Sequence, residues 1–380
     1  QPHPAFARDE QGALRYHDLT AEDLAAIYSL GDFTATGSRE LTAADYVYQI
    51  KRLAHPGLHS PILGLMSDYI VGLGDYAKML NEVWQDAGGV QGATYLDLHA
   101  YPLSGVQEID RYTYRIKLHG KYPQLLYWLA MPFFGPVPAE ADAFYSQPGM
   151  KERNITLDWY PVGTGPYMLT VNNPNRQMVL ERNPNFHGES YPSTGEPGDR
   201  EAGLLMDAGR PLPFIDRIVF SLEKEDIPYW NKFLQGYYDS SGISSDSFDQ
   251  AVSIGAGGEV SLTDAMREQG IRLNTAVSTS IFYTGFNKLD PVVGGYSERA
   301  RKLRQAISIA IDFEENISIF QNGRGIPAQG PIPPGIFGYV EGNAGINPYV
   351  YDITPRGPRR KPIETARRLL AEAGYPQGRD

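Results

Sequence analysis

Several groupings in this sequence have residue types and spacings that could do chemistry. Gly163-Thr164-Gly165 carries two glycines of a dinucleotide-binding turn, but the third is missing. Pro166-Tyr-Met-Leu after it reads as a strand, not as the helix such a turn must open. Gly255-Ala-Gly-Gly258 is a second glycine cluster and reads as a loop. His55 and His59 have the i, i+4 spacing of a zinc pair on a helix, yet Pro56-Gly57 between them breaks the helix, so a surface turn is expected. Asp97 and His99 alternate along a strand-like stretch and share a face, as a hydrogen-bonded or solvated pair would. Gly-x-Ser-x-Gly and Gly-x4-Gly-Lys-Ser/Thr are both absent, and no carboxylate pair is marked out as acid and base. No catalytic residue, metal site or cofactor is expected from these groupings.

The elements around them can be read from periodicity and turn chemistry. Val162 to Phe186 predicts a hairpin. Met168–Val171 and Met178–Leu180 are its apolar runs, Asn172-Asn-Pro-Asn is the turn, and Pro166 suits a strand entry because it lacks an N–H. Thr20-Ala-Glu-Asp is a capping box before a short helix. Thr42-Ala-Ala-Asp45 is a stronger one, with Val47, Ile50 and Ala54 on one helical face. Residues 61–89 read as mainly helical, with Tyr76, Leu80 and Val83 on the buried side. Asp110–Leu118 alternates as a half-buried strand. A helix follows from Pro123, then the extended Met131-Pro-Phe-Phe-Gly-Pro-Val-Pro. Residues 187–213 form a polar excursion, long for a loop in a compact domain. Beyond it, strands are expected at 216–222, 236–242, 272–276 and 280–287. Helices are expected at 227–235 and 262–269, through Leu303, Ala306, Ile307, Ala310 and Ile311, after the box at Asp312, and from Pro362.

Taken together, these segments resemble the family 5 extracellular solute-binding proteins, the oligopeptide- and dipeptide-binding components of bacterial ABC importers. The resemblance rests on Gly163-Thr-Gly-Pro-Tyr, Val179-Leu-Glu-Arg-Asn-Pro-Asn-Phe186 and the Thr42 helix. It rests most specifically on Arg304-Gln-Ala-Ile-Ser-Ile-Ala-Ile-Asp followed by Gly325-Ile-Pro-Ala-Gln-Gly-Pro-Ile-Pro-Pro-Gly335. It covers most of residues 41–380 in family order. It implies an α/β, type II periplasmic-binding-protein-like two-lobed fold with an inserted small α+β domain. Residues 1–40 would be a remnant of lobe one, 41–160 the inserted domain, 161–270 lobe one and 271–380 the start of lobe two. Family members begin with more of lobe one and continue further through lobe two, so an internal fragment, incomplete at both ends, is expected.

The resemblance also implies a function without catalysis. The protein would capture a small solute, most readily a short peptide, between its lobes and deliver it to an ABC transporter membrane permease. Its place would be periplasmic or extracytoplasmic, membrane-associated through the transporter. Ligand contacts are then expected at Ser241, Gly242, Ile243 and Ser244, and at Tyr283 and Gly285. Gly242 and Gly285 would let a ligand backbone come close. The other classes are a hydrolase acting on peptides or glycosides, which needs an activated nucleophile or acid/base pair, and a solute-sensing domain of a regulator.

Bulk properties agree with a receptor. The 380 residues are 42% hydrophobic, enough to bury a substantial core. A net charge of −11 argues against a nucleic-acid partner, which needs a basic footprint. There is no cysteine, so disulfides, thiolate metal sites and cysteine nucleophiles are excluded. Gln1-Pro-His-Pro lacks the charged head and apolar run of a signal peptide.

Overall fold

A computed structural model describes residues 1–89, 95–254 and 260–378. The glycine cluster at 255–258 lies outside the described residues. The chain divides into two compact units, Gln1–Leu222 and Glu223–Asp380.

In the first unit, α1 (Ala43–Arg52) starts where the sequence places it. Asp45 reaches back to accept the Thr42 N–H at 2.9 Å, and Lys51 and Arg52 sit in the last turn, where the helix dipole favours cations. It buries Tyr48 and Ile50 against α2 (Leu63–Tyr69), α3 (Leu73–Asp86) and a hairpin. Met66, Leu73, Leu80 and Leu98 complete that core with no exposure. Gly88, at φ +94°, follows α3 in the left-handed conformation that glycine adopts without a steric penalty. The hairpin is β1 (Val106–Asp110) and β2 (Thr113–Ile116), in register Val106 to Ile116. The single strand expected over 110–118 is therefore corrected. Asp110-Arg-Tyr-Thr is the turn region, Tyr112 is exposed, and only Tyr114, Ile116 and Leu118 face the core. Asp110 accepts the Tyr112 N–H at 2.9 Å, which is turn chemistry that outcompetes strand continuation.

A second core in this unit ties residues 1–33 to α5 (Ala139–Tyr145), which follows the short α4 (Leu125–Leu129). Phe144, with no exposure, is its centre, edge-on to Phe33 at 5.2 Å, Tyr145 at 5.1 Å and His3 at 5.7 Å. The Thr20 box forms as written, with Thr20 and Asp23 exchanging hydrogen bonds, but the turn it starts is a single 3₁₀ turn, Asp23–Ala26. The Val162–Phe186 reading is borne out. Strand β3 (Tyr167–Asn173) pairs antiparallel with β4 (Gln177–Arg182), and β5 (Arg217–Ser221) adds on the other side of β4. Asn183 donates to the Gly165 carbonyl at 2.9 Å, fixing the glycine approach to β3.

The second unit holds α6 (Asp226–Leu234), α7 (Phe248–Ala251), the hairpin β6 (Val252–Ile254) with β7 (Val260–Leu262), and α8 (Asp264–Glu268). Trp230, Phe248, Leu262 and Met266 form their core. Helix α9 (Glu298–Ala310), capped by Ser297, packs Ala306 and Ile309 on Ala366 of α11 (Ile363–Glu372). Between them lie α10 (Phe313–Phe320), whose Glu315 N–H is accepted by Asp312 at 2.9 Å, and the hairpin β8 (Tyr351–Thr354) with β9 (Gly357–Arg360). Among the described residues no helix is long and apolar enough to cross a membrane.

Three expected strands are corrected here. Residues 236–242, 272–276 and 280–287 are not in strands. Strand-forming side chains alone do not make a strand, which needs a neighbour to complete its ladder. Among the described residues, none of the backbone N–H groups from 272 to 287 donates to another backbone carbonyl. Only that of Ser280 finds a partner, the Ser278 hydroxyl at 3.2 Å. The segment joins no ladder.

Candidate functional site

The residues singled out as ligand contacts all fall in the second unit, on two stretches of different character. Ser241–Ser244 is a loop held from both sides. From α6, the Tyr229 hydroxyl accepts the Gly242 N–H at 3.2 Å and donates to the Ser240 carbonyl at 3.3 Å. From beyond α10, the Arg324 guanidinium donates to the Ile243 carbonyl at 2.8 Å and to the Ser245 hydroxyl at 3.2 Å, while lying 4.9 Å over the Phe248 ring. Ile243 packs on the Trp230 core, and the Ser241 hydroxyl turns to the neighbouring Gly242 carbonyl at 2.8 Å. The Ser244 hydroxyl is tied to Ser247 at 3.2 Å. A Cβ built on Gly242 would meet no atom within 4 Å, so the glycine leaves open space beside an anchored backbone.

Tyr283 and Gly285 lie on this unpaired stretch. Tyr283 is 82% exposed and its neighbour Phe282 92%, so Tyr283 is not a core residue of this unit. Gly285 has only the Tyr283 ring nearby, 3.6 Å from where its Cβ would stand. No hydrogen bond or ring contact joins Ser241–Ser244 to Tyr283–Gly285 among the described residues. What the two stretches share is chemistry: main-chain donors and acceptors, small residues, and an aromatic face with a polar tip.

Sequence reasoning missed Tyr229 and Arg324, the two side chains that shape the 241–245 loop. Tyr229 reads as an ordinary helix residue. Arg324 follows Gly323 and reads as part of a helix stop, and its partners are 79 and 81 residues away.

The other groupings resolve into local structure. His55 precedes a 3₁₀ turn, its Nδ1 accepting the Gly57 N–H at 3.1 Å and its ring edge-on to Trp84 at 5.0 Å. Asp97 does not share a strand face with His99. Its carboxylate accepts the His99 N–H at 2.9 Å and caps a 3₁₀ turn, Leu98–Ala100. Among the described residues no three acidic or imidazole groups are placed to hold a metal ion.

In the first unit a cleft of about 530 Å³ is lined by Arg39, Asp45, Tyr48, His99, Arg111 and Glu140 among others. Its charges are closed on one another. Arg39 donates all five N–H groups: two to Asp45 at 2.6 and 2.9 Å, two to Glu140 at 2.7 Å each, and one to the Glu40 carbonyl at 2.9 Å. Burial pushes the Glu140 carboxyl up, and its hydrogen bonds to Arg39 and to its own backbone N–H, with the charge of Arg39, together outweigh that and leave it below the usual range. This is a staple between the starts of α1 and α5, and it leaves Arg39 no donor for a ligand.

Comparison with known proteins places these elements. Residues 35–380 match the family model described as bacterial extracellular solute-binding proteins, family 5 Middle. Heme-binding protein A of Haemophilus influenzae is 26% identical over 280 residues, covering 73% of this chain and 40% of that protein. The periplasmic oligopeptide-binding protein OppA of Salmonella typhimurium is 23% identical over 338 residues, covering 88% of this chain and 49% of its own length. The chain thus spans half or less of the curated relatives it matches. Among solved structures, the murein tripeptide binding protein MppA of Escherichia coli superposes with a TM-score of 0.55 at 17% identity, covering 90% of this chain and 53% of that one. DppA of Helicobacter pylori, in complex with a peptide, superposes at 0.50 with 19% identity, covering 91% and 52%. These likenesses show the α/β fold of the periplasmic binding proteins.

Proposed function

Because the chain belongs to the bacterial extracellular solute-binding proteins of family 5, we propose that it is the ligand-capturing part of an extracytoplasmic receptor. It takes a short peptide between two lobes and passes it, uncut, to an ABC transporter permease. The observation that carries this reading is the state of Tyr283–Gly285: exposed, and with main-chain groups bonded to nothing else among the described residues. A peptide's own N–H and C=O groups pair with such a backbone whatever its side chains are. The anchored Ser241–Ser244 loop adds a second main-chain surface, with Tyr229 and Arg324 fixing it in advance so that little ordering is left for binding.

In this proposal residues 41–160 are the inserted small domain, 1–40 and 161–270 belong to lobe one, and 271–380 begin lobe two. Capture works by hinge closure, with affinity coming from tighter contact in the closed state than in the open one. Membrane association follows from docking on the permease. In this reading the peptide is released uncut, which separates it from a hydrolase.

The test is calorimetry and native mass spectrometry of the chain with a mixed pool of short peptides, with haem as a separate arm because one relative's name points there. Retained, intact peptide supports the proposal. Cleaved products would replace it with a hydrolase, and haem uptake alone would change the solute. Tyr283→Ala is expected to weaken peptide binding roughly tenfold, the loss typical of one aromatic contact. The unfolding midpoint should not move, since the side chain is exposed. Unchanged affinity would remove Tyr283 from the contact set.

A further inference from the structure

Lys51 is a buried charge in the first unit with a single hydrogen bond among the described residues. It sits in the last turn of α1 and is only 9% exposed. Its ammonium donates to the Leu98 carbonyl at 3.0 Å and to no other group among the described residues. Among the described residues no carboxylate stands within ion-pair distance of it, whereas Arg39 has two, Asp45 and Glu140, and Arg52 has Asp142. An ammonium carries three N–H groups, so two are left without a partner among the described residues.

Lys51 is also a wall of a cavity of about 340 Å³, whose other sides include Val47, Tyr48, His99, Leu103 and Val106. Leu103 and Val106 are 3% exposed, and Val47 packs against the same core, so one side of the cavity is apolar. The Tyr48 hydroxyl is already committed to Asp142 at 2.8 Å. The acidic neighbours are Asp97, whose carboxylate holds the His99 N–H, and Glu108, which is exposed on the rim. Burial lowers the lysine's proton affinity, and the charge of Asp97 opposes that change.

We propose that this cavity is a binding site for a small monocarboxylate with a short aliphatic tail. Its carboxylate takes the two free N–H groups of Lys51, and its tail lies against Val47, Leu103 and Val106. A carboxylate matches the requirement because each oxygen accepts a charge-assisted hydrogen bond from an ammonium. The apolar wall rewards a few methylenes and gives a fully hydrated inorganic anion nothing to bury. The site lies in the first unit and shares no residue with the proposed peptide contact, so it stands whether or not that reading holds.

Butyrate is the probe and butylamine, of the same tail and opposite charge, is the control. Calorimetry should detect butyrate and not butylamine. Lys51→Met keeps the length and apolar stem of the side chain, and should weaken butyrate binding at least roughly tenfold. In the unmodified chain, saturating butyrate should slow acetylation of Lys51 by acetic anhydride, while the rate at exposed lysines such as Lys78 stays the same. Slowed acetylation supports the site even if the variant fails to fold. Equal butyrate affinity in the variant, binding of both probes alike, or an unchanged acetylation rate at Lys51 overturns the proposal.

Discussion

Arg39→Ala is expected to lower the stability of the Gln1–Leu222 unit by about 3 kcal/mol, the scale of breaking a buried ion pair by removing one partner. Most of that loss comes from what is left behind. Asp45 is 3% exposed and would be left with the Thr42 N–H as its partner among the described residues. Glu140 loses the partner that offsets its burial. Both carboxylates lie in the first turns of their helices, where they favour the dipole, so the helices remain while the bridge between them is lost. The guanidinium also covers the Phe6 ring at 5.5 Å, so residues 1–7 loosen as well. Arg39→Lys should recover less than half, because an ammonium cannot fork to two carboxylates at once. Three of the four tryptophans, Trp84, Trp128 and Trp159, belong to this unit, so urea unfolding followed by their fluorescence reads it directly. A shift under about 0.5 kcal/mol would mean that solvent screens the cluster as it does an ordinary surface bridge.

The second large effect is acid lability at His3. This residue is 1% exposed, and its hydrogen bonds define the neutral ring. Nδ1 accepts the Ala5 N–H at 3.1 Å, so the proton is on Nε2, which donates to the Tyr145 hydroxyl at 2.7 Å. That hydroxyl donates in turn to the Tyr160 carbonyl at 2.7 Å. Protonating Nδ1 would break the first bond and bury a charge among Phe6, Phe144 and Tyr145. Burial, with a smaller contribution from the positive Gln1 amino group, depresses the His3 pKa from 6.5 to about 3. The unfolded chain therefore takes up this proton first. The stabilisation is complete above pH ~6.5 and drains away as pH falls toward the folded value. Between pH 7 and 4.5 the loss amounts to about 2–3 kcal/mol. His3→Gln can reproduce both hydrogen bonds without titrating. Comparing its urea midpoints with those of the unaltered chain at the two pH values cancels the carboxylates, which also respond to acid. Parallel pH profiles for the two proteins would remove His3 as the cause.

Local signals made much of this fold legible. Thr42 and Asp45 announce α1 because a capping box satisfies its own neighbours. Asn172-Asn-Pro-Asn announces the β3–β4 turn because its preferences lie within four residues. The staple was not legible: Arg39 meets Glu140 across 101 residues, and a lone arginine before a helix carries no mark of its partner. His3 was silent for the same reason. The strands expected at 272–276 and 280–287 failed differently. Their side chains fit a pleated surface, but strand formation is a property of a pair. The candidate contact residues were reached through resemblance, whereas the side chains that pose their loop, Tyr229 and Arg324, follow only from three-dimensional proximity.

The unpaired run from 272 to 287 has a consequence for how the chain is handled. Peptidase clefts accept a main chain free of other pairing, and the N–H groups of this run donate to no backbone carbonyl among the described residues, with Arg272 and Lys288 standing at its two ends. The molecule thus carries a seam ready to be nicked, and whatever settles along that seam guards it.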